Sequence, residues 1–303
     1  MGIVPISVFA YVTVFFENIV SVIDTATNTV IDTIPVGNLP GGIVISSNGT
    51  RVYVANLDDN TVSVIDTTTN TVFSTITVGD APVDIAVLPD GTRAYVVNNG
   101  NNTVSVINTT FNTVVDTITV GGEPLSIAIH PDGTRAYVTN SADDNVSVIN
   151  TVTNTVVGTI TVGDRPTGVT YTPDGTRAYV ANSINNTVSV INTTTETVNN
   201  TITVGDFPLY VAFTPDGTRA YVTNSFDNSV SVIDTTTETV IDTIPVGEVP
   251  AIIAVTPDGT RAYVANFFDF TVSVIDTATN TVVDTVTVGD APFGVVISPP
   301  ILN

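Results

Sequence analysis

Short apolar runs rich in Val, Ile and Thr alternate with polar turns along the whole chain. Within residues 79–120, apolar runs occupy residues 85–87, 94–97 and 104–107, and a fourth run follows at 113–120. Runs of β-branched and aromatic residues between turn signals predict strands. Pro-Asp-Gly and Asn-Thr stretches between the runs favour tight turns. The pattern therefore predicts four short antiparallel strands, and no segment shows helical periodicity.

The same unit recurs with a period of 42 residues along the chain. Seven tyrosines mark the period, and a Val-Gly pair repeats at the same spacing. The tyrosines are Tyr11, Tyr53, Tyr95, Tyr137, Tyr179, Tyr221 and Tyr263. Four antiparallel strands in about 40–45 residues is the size of one propeller blade. The sequence thus predicts an all-β fold, a seven-bladed β-propeller that fills a single domain over residues 1–303.

The first repeat lacks its first strand, and a matching segment occurs at the other end of the chain. Residues 9–36 supply three strands of a blade, and residues 291–298 supply the missing one. We expect the C-terminal strand to join the N-terminal blade, which leaves the ring without an open seam. The second and third strands are nearly continuous apolar runs, which predicts burial, whereas the fourth alternates, as is typical of an outer edge.

Composition and charge exclude several kinds of partner. The chain has 29 acidic residues, seven arginines and no lysine, for a net charge of −22. Neither nucleic acid nor an anionic membrane surface is expected as a partner, because both need the opposite sign of charge. No apolar run reaches the length of a membrane span, so membrane insertion is not expected. The absence of cysteine excludes thiolate chemistry, and residues 1–10 lack the basic region of a signal peptide.

The repeated sequence resembles a known family. Pro-Asp-Gly-Thr-Arg-Ala-Tyr-Val-Ala/Thr-Asn, followed by Val-Ser-Val-Ile-Asp-Thr and Thr-Ile-Thr-Val-Gly, is similar to the YVTN family of β-propeller repeats over nearly the whole chain. The resemblance implies a propeller located at the cell surface, outside the cell or in the periplasm, as in archaeal surface-layer and bacterial cell-surface propellers. It implies no particular chemistry. The first repeat departs from the motif at Val14, where the other six have Asn.

The seven copies agree on one face of the predicted ring and differ on the other. Turns between the first and second strands, and between the third and fourth, share one face and are nearly uniform. Loops between the second and third strands share the opposite face with the connections between blades, and both vary. We name this opposite side the variable face. Loops on a rigid scaffold often carry binding functions, so we expect the specific function there.

Aromatic residues of the variable face are concentrated in three consecutive blades. We expect these residues to form an aromatic sector. Its members are Phe15, Phe16, Phe207, Tyr210, Phe226, Phe267, Phe268, Phe270 and Phe293. Exposed apolar patches mark interaction sites; the alternative is that the rings seal the ring closure or plug the channel mouth. The opposite arc carries Asp84, Glu123 and Arg165, of which the last two are expected to form an ion pair, with anion binding as the alternative.

Candidates for catalysis or metal binding are few. His130 is the only histidine, which excludes a site with two or three histidines, and its turn position indicates a tolerated substitution. Arg51 and the five arginines at equivalent repeat positions are expected to be structural, paired with an Asp of the same or a neighbouring turn. No cofactor is expected, except that the acidic turns 58–60, 143–145 and 227–228 leave calcium open.

Three functions remain. The leading hypothesis is a non-catalytic propeller outside the cytoplasm that presents its variable face to a protein, to a carbohydrate or to other domains of a larger surface protein. The alternative is a channel-face enzyme resembling propeller lyases or lactonases, with Asp84 or Glu123 as the acids. A third possibility is an amplified or engineered repeat scaffold with no ligand of its own.

Overall fold

The computed structural model describes residues 6–302, and the predicted apolar runs in this range form strands. They make seven four-stranded antiparallel sheets, which confirms the predicted seven-bladed propeller. Residues 1–5 and residue 303 lie outside the described range. The predicted domain over 1–303 includes all of them, and the segment 1–10, which was considered as an export signal, includes residues 1–5. A single 3₁₀ turn, Asn99–Asn101, is the only helix among the described residues, and no helix there is long and apolar enough to cross a membrane.

The first strand of each blade begins at a proline and contacts the first strands of both neighbouring blades, so that these strands line the central channel. The first strands are β5 (Pro40–Ile45), β9 (Pro82–Val87), β13 (Pro124–Ile129), β17 (Pro166–Tyr171), β21 (Pro208–Phe213), β25 (Pro250–Val255) and β29 (Pro292–Ile297).

The second and third strands form the middle of each blade and are almost completely buried, as predicted. The second strands are β2 (Phe9–Val14), β6 (Arg51–Asn56), β10 (Arg93–Asn98), β14 (Arg135–Asn140), β18 (Arg177–Asn182), β22 (Arg219–Asn224) and β26 (Arg261–Asn266). The third strands are β3 (Ile19–Asp24), β7 (Thr61–Asp66), β11 (Thr103–Asn108), β15 (Asn145–Asn150), β19 (Thr187–Asn192), β23 (Ser229–Asp234) and β27 (Thr271–Asp276).

The fourth strand is the outer edge of each blade. The fourth strands are β4 (Thr29–Pro35), β8 (Thr71–Thr77), β12 (Thr113–Thr119), β16 (Thr155–Thr161), β20 (Thr197–Thr203), β24 (Thr239–Pro245) and β28 (Thr281–Thr287). Only the sixth residue of each is buried, for example Ile34, which agrees with the predicted outer edge. Every third–fourth pair contains a register shift, such as that between Val22 and Ile23. Bulges bend an edge strand and disfavour its pairing with other chains.

We number the blades 1 to 6 from β5–β8 to β25–β28, and call the sheet β29-β2-β3-β4 the closing blade. Its pairing of β29 with β2 joins the two ends of the chain, as predicted, with Val12 opposite Val295. A feature not predicted is a short ribbon outside the blades, in which β1 (Ile6–Ser7) pairs with β30 (Ile301–Leu302).

The hydrophobic core is divided into seven layers, each of which lies between two neighbouring blades. In one layer, Tyr53 and Val62 of blade 1 pack with Ile85, Ala94 and Val96 of blade 2. The seven repeated tyrosines are the largest fully buried side chains. Because a blade buries its faces only against its neighbours, closure of the ring is needed to cover the first and last blades.

Polar groups of the repeat also reach from blade to blade. The hydroxyl of Tyr263 donates to Oδ1 of Asn28 in the closing blade at 2.7 Å, and that of Tyr95 donates to Asn154 at 2.9 Å. In blade 5, Glu238 occupies the place of these asparagines and binds Arg177 instead, at 2.7 Å. The buried hydroxyl of Tyr179 is then left without a hydrogen-bond partner.

The repeated arginines are structural, but their main acceptors are not those expected. Arg93 donates to the backbone carbonyl of Thr151 in the next blade at 3.0 Å, and four of the other five make the same kind of bond. Arg261 alone pairs with an aspartate of its own blade, Asp276. The guanidinium thus donates to a backbone carbonyl of the neighbouring blade.

We predict opposite outcomes for two tyrosine substitutions. Tyr263→Phe should lower the free energy of unfolding by about 1 kcal/mol, because it removes an inter-blade hydrogen bond. Tyr179→Phe should leave the free energy unchanged or raise it, because that hydroxyl is buried without a partner. Chemical denaturation of both variants measures the difference. Equal losses of free energy in the two variants would contradict the prediction, because they would show that the hydrogen bond of Tyr263 to the next blade does not account for the stabilisation.

Candidate functional site

The loops of the variable face are tied to the connections between blades by backbone hydrogen bonds. In blade 1, Leu57 donates its N–H to the carbonyl of Leu39 at 3.0 Å; in blade 6, Phe267 donates to Val249 at 3.0 Å. Loop and connection therefore form one rigid unit in each blade. Side chains of both segments project from the same surface, which is the arrangement expected of a binding face.

The residue before each first-strand proline has a positive φ, between 50° and 61°. These residues are Leu39, Ala81, Glu123, Arg165, Phe207, Val249 and Ala291. The left-handed region favours glycine, and a residue before proline normally adopts an extended conformation. A side chain at this position therefore carries a backbone cost, most of all at the β-branched Val249. No blade uses glycine there.

A polar side chain at the end of the preceding loop partly offsets this cost. Oδ1 of Asn60, for example, accepts the N–H of Ala81 at 2.8 Å, and an Asn or Asp does so in six of the seven repeats. These polar residues also have positive φ, which Asn tolerates well. In blade 6 the position holds Phe270, with φ of 60° and 46 % of its surface exposed. Its ring offers the N–H of Ala291 no acceptor.

The predicted aromatic sector consists of two separate groups of rings. Five phenylalanines from blade 6 and the closing blade touch one another and form the aromatic cluster. They are Phe15, Phe16, Phe267, Phe268 and Phe293, with ring centroids 5.2–6.3 Å apart. In blade 5, Phe207 and Phe226 form a stacked pair at 4.4 Å. Among the described residues, no ring contact joins the pair to the cluster.

The rings of the aromatic cluster differ in burial. Phe15, Phe267 and Phe293 are half-buried. Phe16 and Phe268 lie over them with 57 % of each side chain exposed, and Phe226 of the stacked pair is 63 % exposed. The exposed rings thus rest on a packed base that holds them in place.

Tyr210 lies apart from these rings, in a pocket of about 240 Å³ in the channel. The pocket lies at the variable-face end, because its lining residues are near the starts of the first strands. Val83, Leu125, Ile252 and Phe293 contribute to a mostly apolar lining. Burial raises the pKa of the Tyr210 hydroxyl above its usual range, so it stays protonated.

Asp84 also lines this pocket, and its carboxylate is fully engaged. It accepts hydrogen bonds from the Ser126 hydroxyl at 2.8 Å, the Ile127 N–H at 3.0 Å and its neighbour's N–H at 2.8 Å. Burial raises the pKa of Asp84 to about 6, although these hydrogen bonds oppose the shift. Asp84 links blades 2 and 3. Glu123 makes none of these hydrogen bonds.

Part of the sequence variation near the channel reflects packing. The third residue of each first strand lies next to its equivalent in the following blade. Gly42 of blade 1 is thus adjacent to Asp84 of blade 2, and Gly168 of blade 4 to Tyr210 of blade 5. A Cβ on Gly42 would lie 2.6 Å from Cα of Asp84, and a Cβ on Gly168 would lie 2.6 Å from the Leu209 carbonyl. The backbone of the next blade therefore leaves no room for a side chain at Gly42 or Gly168.

The remaining candidates have structural partners. Arg165 and Glu123 form the expected ion pair at 2.9 Å, with 54 % of each side chain exposed. His130 lies on the uniform face, where its Nε2–H donates to the Gly175 carbonyl at 3.0 Å and its ring packs edge-on against Tyr171.

The acidic turns considered for calcium use carboxylates to hold the adjacent connections. Asp59 accepts the N–H of Asn38 at 2.7 Å, and Asp143 accepts that of Gly122 at 2.7 Å. Within residues 6–302, no three carboxylate, imidazole or thiol side chains are grouped so that they could hold a metal ion. The signal for the structural role was available in the sequence, since an acid or Asn recurs at this repeat position.

Comparison with known proteins agrees with the ring geometry. A family model described as YNCE-like beta-propeller matches residues 133–223 and 215–299. The solved structure of Kuenenia stuttgartiensis hydrazine synthase matches with a TM-score of 0.80 and 25 % identity, over 86 % of this chain and 90 % of that chain. A functionally unknown protein from Desulfotomaculum acetoxidans DSM 771 shares the fold, with a TM-score of 0.87 and 21 % identity over 97 % and 99 %. No curated protein matches the chain in sequence.

Phe270→Asn should stabilise the protein. The substitution supplies the missing acceptor for Ala291 and places a residue that tolerates positive φ, so we expect the free energy of unfolding to rise by about 1 kcal/mol. The reciprocal change in blade 5, Asn228→Phe, should lower it by a similar amount. Urea denaturation measures whether the first variant is stabilised and the second destabilised. A destabilised Phe270→Asn variant would contradict the account of this position.

Asp84 should make the protein less stable as the pH rises from 4 to 7. The pKa of about 6 in the fold lies above the ordinary 3.8, so the protonated form is favoured by folding. That contribution is present below pH 4 and is lost as the pH rises through 6, an effect of about 3 kcal/mol. Relative to Asp84→Ser, which does not titrate, the wild-type free energy of unfolding should fall by most of this amount between pH 4 and pH 7. A constant difference would contradict the shift.

Proposed function

Because the chain belongs to the YNCE-like β-propeller family, we propose that it is a non-catalytic binding propeller that holds a protein or carbohydrate partner on its variable face. We place its action outside the cytoplasm, at the cell surface or in the periplasm, alone or within a larger surface assembly. The location is supported by the YVTN-type repeats and by the acidic, lysine-free composition.

The observation that carries this proposal is the set of exposed rings on a rigid base. Phe16, Phe226 and Phe268 are each more than half exposed, although aromatic rings of this size contribute most to stability when buried. The half-buried rings beneath the cluster fix the position of Phe16 and Phe268 before any partner arrives. A preorganised aromatic surface loses little side-chain entropy on binding.

Backbone costs in the same sector support the proposal. Phe270 and Val249 occupy positive-φ positions at which Asn or Gly would be more stable. Residues that break a rule of local stability without a gain in packing are typical of functional sites. Both belong to blade 6, between the stacked pair and the closing blade.

The fold by itself does not separate binding from catalysis, since one structural relative is named a hydrazine synthase. The non-catalytic proposal is supported by the engagement of the candidate groups. Asp84 is held by three hydrogen bonds, Glu123 is paired with Arg165, and His130 lies on the uniform face.

The test compares wild type with the triple variant Phe16→Ser, Phe226→Ser and Phe268→Ser. Displayed random peptides and a glycan array are used to select ligands of the wild-type protein. We expect the selected ligands to bind the triple variant at least about tenfold more weakly, as loss of interface aromatics predicts. Phe73→Ser with Phe111→Ser is the matched control, because these rings are 48 % and 74 % exposed but lie on an outer strand and a uniform-face turn.

The control should bind like wild type. Equal binding by wild type and the triple variant, or failure of both libraries to yield a ligand, would contradict the proposed function. Thermal unfolding of the variants establishes that each is folded.

A further inference from the structure

A second repeated hydrogen bond on the variable face involves acidic side chains. In six blades, a loop residue accepts the backbone N–H of the residue after the connection glycine. The acceptor and donor residues are Asp59 with Asn38, Asp143 with Gly122, Asn185 with Asp164, Asp227 with Asp206, Asp269 with Glu248, and Glu17 with Asp290. The bond needs only an acceptor oxygen, and Asn185 supplies one without a charge.

Both members of the pair are acidic in three blades, and these are the three blades that carry the exposed rings. The N–H of Glu248 donates to Asp269 at 2.7 Å, and that of Asp290 donates to Glu17 at 2.8 Å. Two carboxylates at positions that are joined by a hydrogen bond repel each other. The stability of the fold alone would therefore favour a neutral residue at one of the two positions, as in the other blades. The doubled charge therefore has no structural rationale.

The acids also stand beside the rings in the chain. Each of the three most exposed rings of the variable face is followed directly by one of these carboxylates. The adjacent residues are Phe16 and Glu17, Phe226 and Asp227, and Phe268 and Asp269. Acids occur in other blades as well, for example Asp58 and Asp144, but without exposed aromatic rings.

Positive charge on this face is confined to the opposite arc. Arg165 is paired there with Glu123, and the other six arginines bind turns of the uniform face. Within residues 6–302, no ion pair involves the six variable-face carboxylates of these three pairs, which are Glu17, Asp206, Asp227, Glu248, Asp269 and Asp290. The aromatic surface is thus bordered by uncompensated negative charge.

We propose that the partner is a polypeptide segment that is rich in Lys or Arg and carries apolar side chains. This inference rests on the proposed function and names its partner class. A cationic head group binds both over an aromatic face and to a carboxylate, and its aliphatic stem packs on the rings. A neutral carbohydrate makes no use of six carboxylates, and a second copy of this chain, with a charge of −22, is repelled.

The experiment uses a synthetic 12-residue peptide with four lysines and three leucines, and measures its dissociation constant by fluorescence anisotropy. Two control peptides replace the lysines with glutamates or the leucines with serines. The protein variant is Asp227→Asn with Asp269→Asn. Its matched control is Asp59→Asn with Asp143→Asn, because all four residues occupy the same repeat position and Asn185 shows that Asn fulfils the structural role. Both double variants have the same net charge.

We expect the lysine–leucine peptide to bind wild type and the Asp59/Asp143 variant within about twofold of each other, and the Asp227/Asp269 variant about tenfold more weakly. Binding should weaken with salt, and both control peptides should bind more weakly than the lysine–leucine peptide. Equal weakening in the two double variants would overturn the inference, because attraction to the net charge alone would explain it. Equal binding of the glutamate peptide would also overturn it.

The triple Phe→Ser variant separates this inference from the proposed function. If selected ligands depend on the rings but not on Asp227 and Asp269, the cationic partner is wrong and the aromatic binding face stands. If the lysine–leucine peptide binds the triple variant as tightly as wild type, the binding face itself is wrong.

Discussion

Burial between neighbouring blades is the interaction on which the rest of the structure depends. A four-stranded blade has two apolar faces and cannot cover either by itself, so stability comes from seven similar layers, each with a tyrosine at its centre. The same requirement explains the hydrogen bonds from Tyr and Arg to the next blade. It also explains the pairing of β29 with β2, which provides the first and last blades with a neighbour.

A propeller of this kind tolerates unfavourable backbone conformations at individual positions of one face. The middle strands are buried and repeat almost unchanged, whereas the connections on the variable face hold non-glycine residues at positive φ in every blade. Backbone N–H groups that donate to an Asn or Asp side-chain oxygen offset part of this cost in six repeats, and Phe270 breaks the pattern in the seventh. The rigid layers beneath keep the fold intact despite these costs.

Much of the fold was predictable because each strand and turn is encoded locally and seven times over. The period, the four strands and the completion of the closing blade followed from spacing alone. The position of the fourth strand at the outer edge was predictable as well, but not the bulge in each fourth strand or the burial of Ile34 and its equivalents. The partners of Arg93 and Tyr263 were also not predictable, because they belong to the neighbouring blade.

The candidate site shows the same division. The sequence by itself determined which blades carry aromatic residues and which face they occupy, since position in the repeat sets position in the ring. Only the tertiary structure separated the exposed Phe16, Phe226 and Phe268 from the half-buried rings of the same blades, and placed Tyr210 and Asp84 in the channel. The physical reason is that burial and hydrogen bonding at these positions depend on the size and polarity of residues in the next blade, which no single repeat contains.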